Sequence, residues 1–124
     1  MRSNPLTELQ LELMQALWKL GAGSVSDVQA ALEQSGRPLA VTTIATLLKR
    51  LEKQGWVRHK AEGRQFIYQP KVRQEQAAKS ALQRLVNSFF GGSISSVAAE
   101  LLDSENVTRE DLQRMRQLLE KKDP

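Results

Sequence analysis

The sequence predicts a mainly α-helical fold with a small β-hairpin, and three observations carry this prediction. Three segments with apolar residues at helical spacing precede residue 55, and each is bounded by a capping signal or a glycine. Two short aromatic and β-branched runs then flank a glycine-containing loop, at residues 56–60 and 66–68. Further helical patterns follow at about residues 72–90, 94–103 and 109–121.

The first two helices each begin at a capping box, in which two side chains accept hydrogen bonds from each other's backbone N–H groups. Thr7 with Gln10 starts the first, and Ser24 with Asp27 starts a shorter second helix that ends near Gly36. Leucines at helical spacing give the first helix an apolar stripe that we expect to be core. The stripe consists of Leu6, Leu9, Leu13, Leu17 and Leu20, widened by Met14 and Trp18.

The third helix, from about Val41 to Gln54, has two faces of different composition. It ends at Gly55, since glycine adopts the left-handed conformation that follows many helices, whereas Ala40 is a poor N-cap. A helix that served only as scaffold would more often mix Glu and Lys on its outer face. Here the apolar side holds Ile44, Leu47, Leu48 and Leu51, and the opposite side holds Thr42, Thr46, Lys49 and Lys53. Thr43 and Arg50 lie on a flank, and Glu52 lies off to one side.

The net charge of +4 is concentrated in one short stretch. Residues 49–64 hold six basic and two acidic side chains, whereas residues 71–124 hold nine basic and eight acidic ones. The basic stretch covers the end of the third helix and the hairpin, with Arg64 near the hairpin tip. A basic run is usually only a solvated surface, so its position beside the threonines of the third helix is what indicates a polyanionic partner.

Composition excludes several kinds of site. The chain has no Cys and a single His, His59, so disulfides, thiolate chemistry and multi-histidine metal centres are ruled out. No grouping of side chains is typical of catalysis, so we expect neither an enzyme nor a cofactor. No signal peptide and no stretch of roughly 20 apolar residues is present, which predicts a cytoplasmic protein. We expect His59 to face solvent or a phosphate, and the aromatic side chains to be structural.

Three helices followed by a hairpin, with a polar and basic third helix, is the element order of a winged helix-turn-helix. In that fold the third helix enters the DNA major groove, which is about 12 Å wide. We expect Thr42, Thr43 and Thr46 to contact base edges, because threonine offers a hydroxyl to polar atoms and a methyl to thymine. The residues expected to neutralise phosphates are Lys49, Arg50, Lys53, Lys60 and Arg64.

The chain is predicted to divide after Pro70, which cannot donate to a strand ladder. Residues 1–70 would form the winged helix-turn-helix, and residues 71–124 a helical dimerisation domain. Three helices of this total length bury little surface alone, so their apolar stripes need a partner or one another. The residues expected at the dimer interface, or in a core within one chain, are Leu82, Leu85, Phe89, Ile94, Val97, Leu101, Leu102, Leu112, Met115 and Leu118.

Three segments together resemble the penicillinase-repressor family, which includes the BlaI, MecI and CopY repressors. They are LAVTTIATLLKRLEKQGWV at residues 39–57, RHKAEGRQFIYQP at 58–70 and FFGGSISSVAAELL at 89–102. The resemblance covers nearly the whole chain and implies a homodimeric repressor that binds inverted-repeat promoter operators, dimer symmetry matching operator symmetry. The base-reading positions of the family correspond here to Thr42, Thr43, Ala45 and Thr46, of which Ala45 can make only apolar contacts.

Two features of the family are changed in this chain. Copper-responsive members end in a cysteine-rich metal hook, and because this sequence has no Cys we expect no copper or zinc signal by that route. The β-lactam-responsive members are cut at an Asn-Phe bond in the dimerisation domain. Glu100 and Leu101 stand there in this sequence, which argues against cleavage at that bond. A membrane metalloprotease sensor is a frequent partner in the family, so the resemblance also suggests such a partner.

Two other functions are compatible with the sequence. A winged-helix module can bind an acidic protein through its basic face instead of DNA, because a fold does not determine a function. A ligand-responsive regulator of the MarR type would need a small-molecule cleft, for which the C-terminal helices leave little room.

Overall fold

The computed structural model describes residues 5–122, so the ends of the two predicted domains, residues 1–4 and 123–124, lie outside it. The described chain contains six helices and one two-stranded sheet, which confirms the predicted fold class. In chain order these are α1 (Glu8–Leu20), α2 (Val25–Gln34), α3 (Val41–Lys53), β1 (Val57–Glu62), β2 (Gln65–Pro70), α4 (Gln74–Phe89), α5 (Ile94–Asp103) and α6 (Arg109–Lys122).

The chain forms two compact units, Met1–Ala81 and Leu82–Pro124. The first unit extends beyond the hairpin because the segment after it remains attached to the core. Val72 is buried, and its carbonyl accepts a hydrogen bond from the indole Nε1 of Trp18 at 2.8 Å. The structural division therefore falls within α4, and the functional division after Pro70 remains a prediction.

Local signals in the sequence position the first two helices. Both predicted capping boxes are formed: the Thr7 hydroxyl accepts from the Gln10 N–H at 3.1 Å, and the Ser24 hydroxyl accepts from the Asp27 N–H at 3.2 Å. The reciprocal bonds to the two cap residues are also present. At α3, Ala40 makes no side-chain cap, as its methyl group predicts.

α3 ends in a Schellman motif that leads directly into β1. The N–H of Trp56 donates to the Leu51 carbonyl at 2.9 Å, and the N–H of Gly55 donates to the Glu52 carbonyl at 3.1 Å. Gly55 has a φ of 90°, a backbone conformation that residues other than glycine adopt only with strain. The predicted end of the helix is therefore confirmed, and the wing starts immediately beside the last turn of α3.

The core of the first unit lies between α1, α2, α3 and the base of the hairpin. The predicted apolar face of α3 points into it, with Leu47 only partly buried. Leu20 is 43% exposed, so the predicted α1 stripe leaves the core in its last turn, just before Gly21 ends the helix. The largest fully buried side chains are Leu13, Met14, Leu17, Val28, Ile44, Leu48, Leu51 and Val57.

The strands β1 and β2 form the wing, and they are longer than predicted. They pair antiparallel from Val57 opposite Pro70 to Glu62 opposite Gln65, leaving Gly63 and Arg64 as a two-residue turn. Only Gly63 has a positive φ in this turn, 64°, as in a type II′ hairpin. Tight pairing up to this turn holds Arg64 at the tip of the wing.

The base of the wing is also attached to the connection between α1 and α2. Tyr68 and Gly23 exchange backbone hydrogen bonds of 2.8 and 2.9 Å. Tyr68 itself is buried, and burial together with the nearby Glu52 carboxylate raises the pKa of its phenol. The wing is thus anchored to the core at its base.

In the second unit, capping signals again define the helices. The Ser93 hydroxyl accepts from the Ser96 N–H at the start of α5, at 3.1 Å. Thr108 and Asp111 form the predicted capping box of α6, with both hydrogen bonds at 3.0 Å. No helix within residues 5–122 is by itself long and apolar enough to cross a bilayer. Taken together, α4 and α5 have sufficient length and apolar composition, but the pair is bent by 95°.

Candidate nucleic-acid interface

α3 presents a continuous polar surface opposite its buried face. The three threonines predicted to contact bases are all exposed, and Ala45 between them is half-buried. The cations of the next turns are exposed as well, so the structure brings the two predicted groups onto one accessible surface. The members of this surface are Thr42, Thr43, Ala45, Thr46, Lys49, Arg50 and Lys53.

The hydroxyl of Thr46 donates a hydrogen bond within the helix. Its Oγ1 donates to the Thr42 carbonyl at 2.9 Å, a bond that threonine often makes one turn back in a helix. The oxygen lone pairs and the methyl group remain available. In this rotamer Thr46 can accept a hydrogen bond or contact a thymine methyl, but it cannot donate to a base.

The wing carries cations on the face that points away from the core. Lys60 and Arg58 share this outer face because side chains alternate along a strand, and Arg64 is exposed at the tip. With the Gln69 amide oxygen turned towards Arg58, this oxygen accepts from Nη2 and Nε of the guanidinium at 2.8 and 2.9 Å. Arg58 was missing from the predicted set, although its alternation with Lys60 was a usable signal.

A groove of about 290 Å³ joins α2, α3 and the wing. Lys49 of α3 and Arg64 of the wing tip both line it, and so do Ser24, Val25 and Ser26 at the start of α2. The groove therefore combines two cations with the amino-terminal end of a helix, whose partial positive charge is offset by the Asp27 carboxylate of the capping box. Sequence reasoning missed the contribution of Ser26, although the Ser24 cap already marked this helix end.

Side-chain hydrogen bonds hold both ends of α3. At its start, Gln29 of α2 donates from Nε2 to the Leu39 carbonyl at 3.0 Å. At its end, Gln10 of α1 donates from Nε2 to Oε1 of Gln54 at 3.2 Å. These bonds tie both ends of α3 to neighbouring helices, in addition to the packing of its buried apolar face.

A bidentate ion pair supports the turn between α2 and α3. Arg37 donates from Nε and Nη2 to the two carboxylate oxygens of Glu12, at 2.9 and 2.8 Å. These hydrogen bonds hold the pKa of the Glu12 carboxyl below its ordinary value. The turn that leads into α3 is therefore tied to α1.

His59 and Glu52 join the wing to α3. Nδ1 of His59 lies 2.7 Å from each carboxylate oxygen of Glu52. The imidazole also stacks on Phe66, with ring centroids 4.2 Å apart, and lies 5.4 Å from the ring of Tyr68. The His59 side chain is 30% exposed, but its Nδ1 faces a carboxylate instead of solvent, a contact that sequence reasoning missed.

The helices of the second unit leave most of their large apolar side chains exposed. Phe89 is 77% and Leu119 69% exposed, and Leu119 was missing from the predicted interface although it lies one helical turn after Met115. Val97 is half-buried. The other predicted interface residues, all exposed, are Leu82, Leu85, Ile94, Leu101, Leu102, Leu112, Met115 and Leu118.

Comparisons with known proteins agree with this architecture. The family model described as penicillinase repressor matches residues 6–121. The penicillinase repressor of Bacillus licheniformis is 27% identical over 115 residues, which are 93% of this chain and 89% of that protein. The resemblance found in the sequence is therefore confirmed.

The solved structures that resemble the chain include two of BlaI. The solution structure of the DNA-binding domain of the repressor BlaI has a TM-score of 0.52 and 31% identity, covering 61% of this chain and 93% of that one. The monomeric form of BlaI from Bacillus licheniformis, in complex with the blaP half-operator, has a TM-score of 0.51 and 29% identity, covering 61% and 90%. With its winged helix-turn-helix, this chain belongs to the penicillinase repressor family, whose members are DNA-binding transcriptional repressors and not enzymes.

Proposed function

We propose that this repressor binds inverted-repeat operators as a homodimer, with α3 in the major groove and the wing on the DNA backbone. The observation that carries the proposal is the exposed face of α3, where threonines occupy the first half and cations the second. Small polar groups suit base edges, and cations suit phosphates. The half-operator complex of BlaI, a relative with a similar fold, supports the binding of operator DNA.

The proposed roles follow this division. Thr42, Thr43, Ala45 and Thr46 contact bases, and Lys49, Arg50, Lys53, Lys60 and Arg64 neutralise phosphates. Lys49 and Arg64 line the same groove, so one backbone segment can contact α3, the wing tip and the start of α2 together. Arg58 joins the backbone contacts, since it shares the outer face of the wing with Lys60.

Homodimer formation is supported by the apolar surface of the second unit. Many large apolar side chains of α4, α5 and α6 are exposed, and they recur at helical spacing. Large exposed apolar surface is typical of a protein interface. A two-fold symmetric dimer would present two α3 helices to two half-sites related by the same symmetry. In this proposal residues 1–70 bind DNA and residues 71–124 dimerise.

Promoter binding implies a cytoplasmic location and an input signal. Glu100 and Leu101 lie inside α5 and are exposed, but their bond is held in regular helix. Because these two residues replace the Asn-Phe pair of the β-lactam-responsive members, we propose that release from DNA does not use this bond. A membrane protease sensor that acts at another position is the partner that the family suggests.

Selection of DNA fragments by the purified protein tests the proposal. The retained fragments should share an inverted repeat, and sedimentation should give a dimer over a wide concentration range. Arg50→Ala and Lys53→Ala should weaken binding to all sequences, with a smaller salt dependence. Absence of affinity for DNA at low salt would instead favour the docking of an acidic protein, and a monomer at all concentrations would contradict the homodimer.

A further inference from the structure

We propose that Glu52 and His59 form a clamp that holds the wing against α3 and thereby positions Lys60 and Arg64 on the DNA backbone. The inference rests on the proposed use of α3 and the wing for DNA binding. Both residues act as positioning residues, since neither needs to touch DNA. Glu52 is the acidic residue of α3, and His59 is the single histidine of the chain, so the clamp gives both residues a structural role.

The hydrogen bond between His59 and Glu52 belongs to a strong class, the charge-assisted hydrogen bonds. Nδ1 of His59 lies 2.7 Å from both oxygens of Glu52. A carboxylate can only accept hydrogen bonds, so we assign the tautomer in which Nδ1 carries the hydrogen and donates it. Hydrogen bonds to an ionised group are shorter and stronger than those between neutral groups. The bond crosses from the last turn of α3 to the third residue of β1, on either side of the Gly55 turn.

The contact continues from His59 towards the wing tip. His59 is the cross-strand partner of Tyr68, which is buried at the base of the wing, and it stacks on Phe66, the diagonal neighbour nearer the tip. Phe66 is 46% exposed and lies two residues after Arg64. The imidazole therefore contacts both the anchored base of the wing, at Tyr68, and Phe66 near the start of β2, the strand that directly follows Arg64.

The clamp can be tested by whether removal of the Glu52 carboxylate strengthens or weakens DNA binding. Residues 49–64 contain two acids, Glu52 and Glu62, on the surface that we propose to face DNA. By electrostatics alone, removing either carboxylate should tighten DNA binding, because it repels phosphates. The clamp predicts the opposite result for Glu52, because the wing cations lose their position when it is removed.

The experiment measures the affinity of five proteins for one mixed-sequence DNA duplex at fixed low salt. They are the wild type, Glu52→Ala, Glu52→Gln, the matched control Glu62→Ala, and Lys53→Ala, which tests the interface itself. We expect Glu62→Ala to bind as tightly as the wild type or more tightly, and Glu52→Ala to bind about fivefold more weakly. Glu52→Gln keeps an oxygen that accepts from His59 and loses the charge, so it should bind at least as tightly as the wild type.

Two substitutions of the histidine separate the hydrogen bond from the ring contact. His59→Asn retains an N–H donor near the position of Nδ1 and loses the ring, whereas His59→Phe retains a ring for Phe66 and loses the donor. Each should bind more weakly than the wild type. In a Glu52→Ala background, His59→Phe should cause no further loss, because its missing donor no longer has an acceptor.

The outcomes distinguish the clamp from the interface on which it rests. If Glu52→Ala tightens binding as Glu62→Ala does, while Lys53→Ala still weakens it, the clamp is refuted and the interface stands. If Lys53→Ala and Glu52→Ala both leave binding unchanged, the proposed interface itself is wrong. Far-ultraviolet circular dichroism and the unfolding midpoint of each variant establish that a loss of affinity comes from a folded protein.

Discussion

Gln10 of α1 and Gln54 at the carboxyl end of α3 are joined by a hydrogen bond of 3.2 Å, although 44 residues separate them in the chain. Gln10 is only 3% exposed, and its Oε1 also accepts from the Thr7 N–H in the capping box of α1. One buried side chain therefore caps the first helix and holds the end of the proposed recognition helix.

We expect Gln10→Ala to lower the free energy of unfolding by about 1–3 kcal/mol, because it leaves partly buried polar groups without a hydrogen bond. Gln10→Glu should lower the free energy of unfolding by less. Its carboxylate can still accept from the Thr7 N–H, and only the N–H donor to Gln54 is lost. Urea unfolding measures both, and Gln15→Ala on the exposed side of α1 is the control. Equal losses for Gln10→Ala and Gln15→Ala would show that the link to α3 contributes nothing.

Thr46→Val is expected to preserve the order of operator preference. The hydroxyl of Thr46 donates to the Thr42 carbonyl, so the valine removes a group that is already engaged and keeps a methyl at the same position. Thr46→Ala removes both and should change which base is preferred at one position. Binding to an operator library measures the preferences. A valine variant as altered as the alanine variant would mean that the hydroxyl itself reads a base by accepting a hydrogen bond.

Ser26→Glu is expected to increase the stability of the protein and to weaken its binding to DNA. A carboxylate in the first turn of α2 interacts favourably with the helix dipole, which should stabilise the protein by about 0.3–1 kcal/mol. The same charge would enter the groove lined by Lys49 and Arg64 and repel a phosphate there. Thermal unfolding and DNA affinity, measured on the same samples, test the two parts.

The matched control is Gln34→Glu, which adds the same charge at the other end of α2. It should slightly destabilise the helix, because a negative charge is unfavourable at a carboxyl end. Its effect on DNA affinity should be much smaller than that of Ser26→Glu. Equal losses of affinity would indicate that only net charge matters and that the groove holds no phosphate.

The sequence predicted the features that depend on neighbouring residues. Each capping box joins residues three apart, and Gly55 ends α3 through bonds to the turn just before it, so short patterns suffice. The apolar face of α3 followed from periodicity alone. These features determine the fold class and the location of the exposed threonines and cations.

The contacts that orient the site were not predictable in this way. Periodicity assigns Glu52 to the flank of α3 and His59 to a strand, but the Schellman turn between them decides that the two side chains meet. The link between Gln10 and Gln54 depends on how α1 packs on α3. A burial pattern does not reveal which buried polar side chain has a distant partner, so such pairs emerge only from the packed structure.

Leu119→Glu is expected to convert the proposed dimer into a monomer, because a charge in an apolar interface loses its hydration without gaining a partner. Leu119 is 69% exposed on α6, and Gln117→Glu, on the opposite side of the same helix, adds the same charge as a control. Sedimentation should show a dimer for the control and a monomer for Leu119→Glu. Both tryptophans, Trp18 and Trp56, lie in the first unit, so their fluorescence should be the same in both variants. A dimeric Leu119→Glu with unchanged operator affinity would exclude this face of α6 from the interface.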